Sequence, residues 1–310
     1  MARSRTPSGP HQKPPRGPRR TERGTRKADP RITRNKDSRP TSPGRPQPAP
    51  AEPPRRSPAS GPAPKSPPPR LSGSDYWLFG RHAVLAALHN PARRLKRLLL
   101  AEPADPDLAP LVATLGMGPE VVGRTLLDEL LPGQVHQGIA LSVSPLPQIG
   151  LAGFVAELMD RPAVVVALDH VTDPHNVGAI LRSAAAFGAA AVIATSDHAP
   201  PEGGLVAKAA SGALEVVPYL TEINLARALD QMKAAGFWCF GLDETGTQLL
   251  QAKDAAPRTC LVLGAEGSGL RRLTRERCDL LVRLPTRPPI AALNVSNAAA
   301  VALYELLGGT

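Results

Sequence analysis

The hydrophobic pattern beyond Pro162 alternates between short apolar runs and segments of helical spacing. The apolar runs predict strands at Ala163–Leu168, Ala190–Ala194, Glu215–Tyr219, Trp238–Leu242, Cys260–Leu263 and Leu280–Leu284. Helical patterns separate most of them, for example Leu225–Ala235. Continuous runs of Val, Ile, Leu and Ala that alternate with helices are typical of a parallel sheet covered on both faces. We therefore predict an α/β domain over residues 162–310, with ligands bound beyond the carboxyl ends of its strands.

A smaller α/β unit precedes this domain. The pattern predicts helices at Gly80–Leu88, Asp107–Leu115 and Thr125–Leu131, and strands at Arg97–Ala101, Val121–Val122 and Ile139–Val143. Prolines at 145 and 147 mark the end of the unit. We predict a small domain over residues 73–146 and a linker over residues 147–161.

Residues 1–72 form a third region with a different composition. Residues 1–70 contain 18 of the 37 Lys and Arg, 4 of the 27 Asp and Glu, 19 of the 36 prolines and no aromatic residue. So few apolar side chains cannot compensate by burial for the entropy that folding removes, which predicts a disordered tail. A polycationic tail is attracted to RNA or DNA; alternatively, it is a solubilising extension with no specific role.

The three cysteines indicate the compartment. Cys239, Cys260 and Cys278 lie in or beside apolar segments, with no Cys-x-x-Cys pair and no His at ligand spacing. This usage is typical of buried, reduced thiols and predicts a bacterial-type cytoplasmic location. A mitochondrial location is a weaker alternative, because the prolines of the tail oppose an amphipathic targeting helix. No apolar run reaches the roughly 18 residues that span a bilayer, so we expect no membrane partner.

The first loop with candidate chemistry follows the strand that ends at Leu168. It contains an Asp173-Pro174 turn, a candidate helix cap at Asn176 and, six residues later, Arg182. Helical side chains lean toward the N-terminus, so the guanidinium of Arg182 can reach back to the loop. A purely structural helix cap remains an equal alternative.

Two further loops follow late strands. Gly264-Ala-Glu266-Gly267-Ser-Gly269 has three glycines in six residues, which let backbone amides approach a ligand closely, although a tight turn without a ligand is the alternative. The third loop runs from Leu284 to a candidate cap at Asn294, before a final helix that is apolar on nearly all sides. No metal cluster, nucleophile triad or paired carboxylate motif stands out.

Together, the three loops resemble the sequence motifs of the SpoU/TrmH family, the RNA ribose 2′-O-methyltransferases of the SPOUT class. The matching segments are Asp173–Ser183, Gly264–Leu270 and Leu293–Ser296, in the order and spacing of that family. Residues 76–143 resemble the substrate-binding domain, similar to ribosomal protein L30, of the branch that methylates a guanosine of large-subunit (23S) rRNA. The tail lies outside this resemblance.

The resemblance implies a fold, a cofactor and partners. The parallel sheet is expected to end in a C-terminal trefoil knot that binds S-adenosylmethionine. The partners are expected to be large-subunit rRNA or a pre-ribosomal particle, and a second copy of the chain in a homodimer with a shared active site. By motif position, the expected cofactor contacts are Gly264, Glu266, Gly267, Gly269, Leu284, Leu293 and Ser296.

The resemblance also implies roles for four polar residues, and position in the chain suggests a role for two more. Arg182 is expected to bind a phosphate beside the target ribose and to stabilise alkoxide charge, because a guanidinium that stays protonated is a poor base. Asn176 and Asn294 would orient the ribose or the loops, and Glu266 would brace the site. Arg81 and His82, near the start of the first helix, are candidates for contacts with RNA phosphate, or else ordinary surface residues.

Two features depart from the family pattern. Ala292 stands where many members have Ser, so a hydroxyl contact is lost there and is either dispensable or supplied by Ser296; the Pro288-Pro289-Ile290 stretch also lacks an expected glycine. The lost hydroxyl contact supports the alternative of a non-catalytic rRNA-binding or ribosome-assembly factor. A transfer-RNA 2′-O-methyltransferase of the same fold is a third possibility, but the extra N-terminal domain favours rRNA by analogy.

Overall fold

The computed structural model describes residues 71, 73–102, 108–252, 256–287, 289 and 292–308. The predicted tail, except residue 71, and Asp107, the predicted start of the second helix, lie outside the described residues.

The first part of the described chain forms a four-stranded sheet with three helices. Its elements are β1 (Tyr76–Phe79), α1 (Arg81–His89), β2 (Leu95–Ala101), α2 (Leu108–Thr114), β3 (Glu120–Val122), α3 (Arg124–Leu130) and β4 (Ile139–Val143). The strand order is β1-β4-β2-β3, with β4 antiparallel to β1 and β2, and β2 parallel to β3. Strand β1 was not predicted; it ends at Phe79, and the next residue, Gly80, has a φ of 82° and turns the chain directly into α1.

The second part forms a parallel sheet, as the apolar runs predicted, with seven strands where the runs predicted six. Its elements are α4 (Leu151–Leu158), β5 (Ala163–Asp169), α5 (Pro174–Phe187), β6 (Ala191–Thr195), α6 (Gly204–Ala210), a 3-10 turn (Ala213–Glu215), β7 (Tyr219–Glu222), α7 (Leu225–Ala234), β8 (Trp238–Leu242), β9 (Gln248–Leu249), β10 (Arg258–Gly264), α8 (Arg272–Arg277), β11 (Leu280–Arg283) and α9 (Val295–Leu307). The strand order is β7-β6-β5-β10-β8-β11-β9, and each neighbouring pair is parallel.

Helices cover both faces of this sheet because alternate residues of a strand point to opposite sides. Val165 and Ala167 pack with buried side chains of α4 and α7. Val166 and Leu168 pack with α5 and α9. Both faces are therefore shielded from solvent, which explains why the central strands are continuous apolar runs.

The core on the α5 and α9 side continues into the first sheet. Buried Ala83 of α1 and Leu141 of β4 belong to the same apolar cluster as Val206 of α6. The helices α4 and α6 were not predicted from the sequence, and α4 occupies part of the predicted linker. Phe154 of α4 is buried against the seven-stranded sheet, so this part of the linker packs with the second part of the chain.

The strand predicted at Glu215–Tyr219 is wrong. A 3-10 turn ends at Glu215, and β7 begins only at Tyr219. Gly212, with φ of 98°, introduces the turn, and Pro218 has no N–H to donate to a sheet ladder. Within the described residues, no helix combines the length and the hydrophobicity that a membrane crossing requires.

Candidate active site

A cavity of about 450 Å³ lies beyond the carboxyl ends of β8, β10 and β11. Its walls come from the loops that follow these strands and from the start of α9; apolar side chains include Leu263, Leu284 and Leu293. This is the edge at which a parallel sheet is expected to bind ligands. The volume lies within the range of about 300–1,000 Å³ that is typical of small-molecule sites.

The glycine-rich loop after β10 forms one wall of this cavity. The loop closes on itself, because Gly269 N donates a hydrogen bond to Ala265 O at 2.9 Å. A Cβ atom on Gly264 would stand 2.2 Å from the carbonyl carbon of Gly269, so only glycine fits there. Gly267 and Gly269 have φ values of 79° and 64°, a region that favours glycine. These glycines therefore shape a wall of backbone rather than of side chains.

Three polar side chains from three different loops meet at the Glu266 side of the cavity. Asn176 Nδ2 donates to Glu266 Oε1 at 3.1 Å, and Asn294 Nδ2 donates to Asn176 Oδ1 at 3.0 Å. Asn294 Nδ2 also donates to Glu266 Oε1. The structure therefore brings together Asn176, Glu266 and Asn294, which the sequence analysis selected separately. We call them the Asn–Glu cluster.

Two helix caps determine how this cluster is oriented. Asn294 caps α9 as predicted: its Oδ1 accepts from Ser296 N at 2.9 Å and from the Ser296 hydroxyl at 2.6 Å. The amide nitrogen is thereby directed toward Glu266. The predicted cap at Asn176 is wrong, because Asp173 caps α5 by accepting from His175 N at 2.9 Å. Asn176 lies in the first turn of α5 instead. Because its side chain does not cap the helix, it can contact Glu266.

The sequence analysis missed Asp169, the last residue of β5. Its carboxylate is fully buried and accepts from Arg271 N at 2.8 Å and from Arg271 Nε at 2.6 Å. This contact ties the end of the glycine-rich loop to the neighbouring strand. A charged residue directly after a buried apolar run, at the carboxyl end of a strand, was the available signal.

The loop after β8 was missed as well. Buried Asp243 accepts from the Thr245 hydroxyl at 2.6 Å and forms an ion pair with Arg275 of α8. All three side chains line the cavity. The signal was again positional, since Leu242 ends an apolar run and the next residues are polar.

Six of the seven predicted cofactor contacts line the cavity: Gly264, Glu266, Gly267, Gly269, Leu284 and Leu293. Ser296 is not among the lining residues, and its hydroxyl donates to Asn294 instead. Ala292 stands where many family members have Ser. It lines the cavity, so a serine hydroxyl at this position would face the cavity.

Arg182 does not line the cavity. It is exposed on α5, and within the described part of the chain its side chain has no hydrogen-bond or ion-pair partner. Arg81 and His82 begin α1, away from the cavity, and Arg81 N donates to Gln137 Oε1 at 3.0 Å. The predicted RNA contacts are therefore distributed over a surface outside the small-molecule site.

The cavity residues fit S-adenosylmethionine. The backbone wall of the glycine-rich loop and the apolar side chains of Leu284 and Leu293 suit a flat adenine ring. The polar edge at Glu266 provides a carboxylate that favours a positively charged group nearby.

Two family models match the chain. Residues 163–304 match the SpoU rRNA Methylase family, and residues 77–149 match the RNA 2′-O ribose methyltransferase substrate binding model. A 23S rRNA (guanosine-2′-O-)-methyltransferase RlmB of Pseudomonas syringae pv. tomato is 42% identical over 237 residues, 74% of this chain and 94% of that protein. The protein of that name from Coxiella burnetii is 38% identical over 235 residues, 74% and 94% of the two chains.

Solved structures share the fold. The SpoU methyltransferase AviRb from Streptomyces viridochromogenes, in complex with AdoMet, has a TM-score of 0.64 at 22% identity and covers 76% of this chain and 90% of its own. An AdoMet-bound rRNA methyltransferase from Sinorhizobium meliloti has a TM-score of 0.63 at 22% identity, with 75% and 87% covered.

Proposed function

The chain belongs to the SpoU rRNA methylase family, and we propose that it methylates the ribose 2′-OH of a guanosine in 23S rRNA. It is an RNA ribose methyltransferase that uses S-adenosylmethionine. The observation that carries the specific proposal is the Asn–Glu cluster at the edge of the glycine-walled cavity. The 23S guanosine follows from the names of relatives that align with most of the chain. These relatives weigh against the tRNA and non-catalytic alternatives.

Bound S-adenosylmethionine supplies an electrophilic methyl group on a sulfonium. We propose that the six lining residues named above would hold it, the apolar ones by packing and Glu266 by its negative charge. The ion pair between Asp169, at the end of β5, and Arg271 keeps the glycine-rich loop in place. Ser296 acts indirectly, by fixing Asn294.

The chain's polar residues then act on the RNA. A ribose 2′-OH is a weak nucleophile that must lose or share its proton as it attacks. We propose that the amides of Asn176 and Asn294 orient this hydroxyl, that Glu266 holds both amides, and that positioning supplies much of the rate. Arg182 binds the neighbouring phosphate and stabilises the developing alkoxide, because its guanidinium remains protonated. Its exposure leaves it accessible to a phosphate outside the cavity.

We propose that residues 73–146 are the L30-like substrate-binding domain, that part of 147–161 links it to the methyltransferase domain at 162–310, and that Arg81 and His82 contact RNA phosphate. The match at residues 77–149 and the exposure of His82 at the start of α1 support this assignment. The substrate is either naked rRNA or a pre-ribosomal particle.

We propose that the region from β8 to α9 contains the trefoil knot. The support is the close crossing of the β8–β9 loop and β11: a Cβ on Gly246 would stand 2.7 Å from the carbonyl carbon of Val282.

We also propose a homodimer through α9, which exposes Val301 and Tyr304 on one side although its other residues are largely buried. The partner would complete the site beside Arg182.

We propose a reducing cytoplasmic location. Cys239 and Cys260 lie opposite each other on adjacent strands and are nevertheless free thiols, which supports this proposal.

The test is methyl transfer from labelled S-adenosylmethionine to an unmodified 23S rRNA transcript, followed by alkaline hydrolysis. A 2′-O-methyl group blocks cleavage, so the label is expected in an alkali-resistant dinucleotide containing guanosine. Arg182→Ala should lower kcat by about 10²–10³-fold, the usual cost of losing a charge-stabilising donor.

Arg227→Ala, at another exposed arginine on the same domain, is the matched control and should transfer at the normal rate. Label in an alkali-sensitive product would place the methyl group on a base and would contradict the proposal. Transfer only to tRNA would contradict the rRNA assignment, and transfer only to ribosomal particles would select the particle as the substrate.

A further inference from the structure

Arg93, just after α1, is buried between the two domains. Its side chain is 0% exposed, and its two carboxylate partners, Glu202 and Glu215, are 7% and 3% exposed. Arg93 Nη2 and Nε donate to Glu215 at 2.6 and 3.1 Å, and Nη1 donates to Glu202 Oε1 at 2.5 Å. One guanidinium of the substrate-binding domain thus holds two glutamates of the methyltransferase domain. We call this group the Arg93 centre.

Other donors of the first domain converge on the same carboxylates. The Tyr76 hydroxyl donates to Glu202 Oε1 at 2.6 Å, and Leu146 N donates to both oxygens of Glu202 at 3.1 and 3.2 Å. Asn90 Nδ2 donates to Glu215 Oε2 at 2.8 Å. These donors offset the second negative charge, which the single arginine leaves unbalanced.

The apolar contact around the Arg93 centre leaves no room for the domains to slide. A Cβ on Gly204 of α6 would stand 2.3 Å from Trp77 O of β1. A Cβ on Gly212 would stand 2.8 Å from Ala86 Cβ of α1. Both glycines therefore allow the methyltransferase domain to lie directly against the backbone and small residues of its neighbour.

Buried ion pairs contribute little net stability, because desolvation cancels much of the attraction. Their geometry is nevertheless demanding, since any other arrangement leaves a buried charge without a partner. An ion pair of this kind therefore excludes alternative orientations more than it strengthens the preferred one. At this interface, it keeps Arg81 and His82 at a fixed distance from the cavity.

We propose that Arg93 is a positioning residue for the methyl-transfer reaction: by holding Glu202 and Glu215, it fixes the substrate-binding domain so that RNA bound to both domains reaches the cavity in one orientation. This inference rests on the proposed function. Without the Arg93 centre, the domains would occupy several orientations, and RNA binding would have to select the competent one. The apparent affinity for RNA would fall by the fraction of competent molecules.

The decisive variant is Arg93→Met/Glu202→Gln/Glu215→Gln, which removes the charges without leaving one buried and unpaired. We expect KM for the 23S transcript to rise about tenfold while kcat stays within about twofold, because saturating RNA restores the orientation. Affinity for S-adenosylmethionine should not change. The matched control is Arg97→Met/Glu120→Gln, which removes a similar two-bond ion pair that lies within the first domain and is 42% and 45% exposed. It should leave KM unchanged.

Spin labels provide a readout that needs no methyl transfer. In a Cys278→Ser background, nitroxides at Val121→Cys and Ile223→Cys, two exposed positions on the two domains, should give one narrow distance distribution. The triple variant should broaden it, and RNA should narrow it again. An unchanged distribution, or a loss of kcat at constant KM, would overturn the proposal. If wild-type protein transfers no methyl group, the proposed function fails, and the label distances still decide whether Arg93 fixes the domains.

Discussion

Two polar clusters in this molecule are each built on a glutamate that accepts hydrogen bonds from distant parts of the chain. Glu266 is exposed at the cavity and holds Asn176 and Asn294. Glu202 is buried between the domains and holds Arg93. In the first cluster, polar groups remain accessible to a substrate, whereas in the second, the donors are enclosed by protein. The two clusters therefore differ in burial rather than in residue type: the exposed one can contact a ligand, and the enclosed one can only maintain geometry.

The largest effect that this comparison predicts is on stability. Arg93→Met alone leaves Glu202 and Glu215 as buried carboxylates without their cation, and should lower the free energy of unfolding by about 3–5 kcal/mol. Arg97→Met, at an exposed ion pair, should lower it by less than about 1 kcal/mol. Urea unfolding measures both. Equal losses for the two variants would remove the distinction between buried and exposed pairs.

An intermediate effect is expected at the exposed cluster. Asn294→Ser keeps an oxygen that can cap α9 but removes the amide that donates to Asn176 and Glu266. We expect kcat to fall about 100-fold, as for other lost positioning or charge-stabilising donors, with little change in Tm. Asn294→Ala should lose the same activity and also about 1 kcal/mol of stability, because the cap is lost. A Tm for Asn294→Ser as low as that of Asn294→Ala would show that the cap and the amide cannot be separated.

The smallest effect concerns His170, which is partly buried and so lies between the two extremes. Burial lowers the pKa of His170, and Arg271 and His198 lower it further. As pH falls below the ordinary histidine pKa of 6.5, the unfolded chain takes up this proton before the folded protein does. The free energy of unfolding should therefore fall with pH, and His170→Asn, which tolerates the φ of 60°, should make that slope shallower. Urea titrations on both sides of that pH measure the slope; an unchanged slope would show that His170 is not its source.

Most of the seven-stranded sheet was predictable because both of its faces are buried. Runs such as Ala163–Leu168 have to be continuously apolar when α4 and α7 lie on one side and α5 and α9 on the other. Helix α6 was not predictable from hydrophobic spacing, since its seven residues begin with glycine and pack through small side chains. Its position depends on contacts with β1 of the other domain, which a local pattern does not contain.

The candidate site was predictable as separate loops but not as one cluster. Each motif provided a residue, and the parallel sheet implied a common edge, yet no local pattern directs the Asn294 amide toward Glu266. That orientation depends on the helix cap: the Asn294 oxygen accepts hydrogen bonds from the start of α9, which directs the amide nitrogen the other way. The Arg93 centre had no sequence signal, because its ion pairs join residues 109 and 122 positions apart.

The apolar cluster shared by the two parts of the chain has a consequence for biosynthesis. Ala87 of α1 is buried in the same cluster as Val206 of α6, which leaves the ribosome about 120 residues later. During that interval, the part of α1 that packs against α6 remains exposed. The contact between α1 and α6 is therefore completed only late in synthesis, although the first sheet has a second apolar cluster of its own around Trp77 and Leu127.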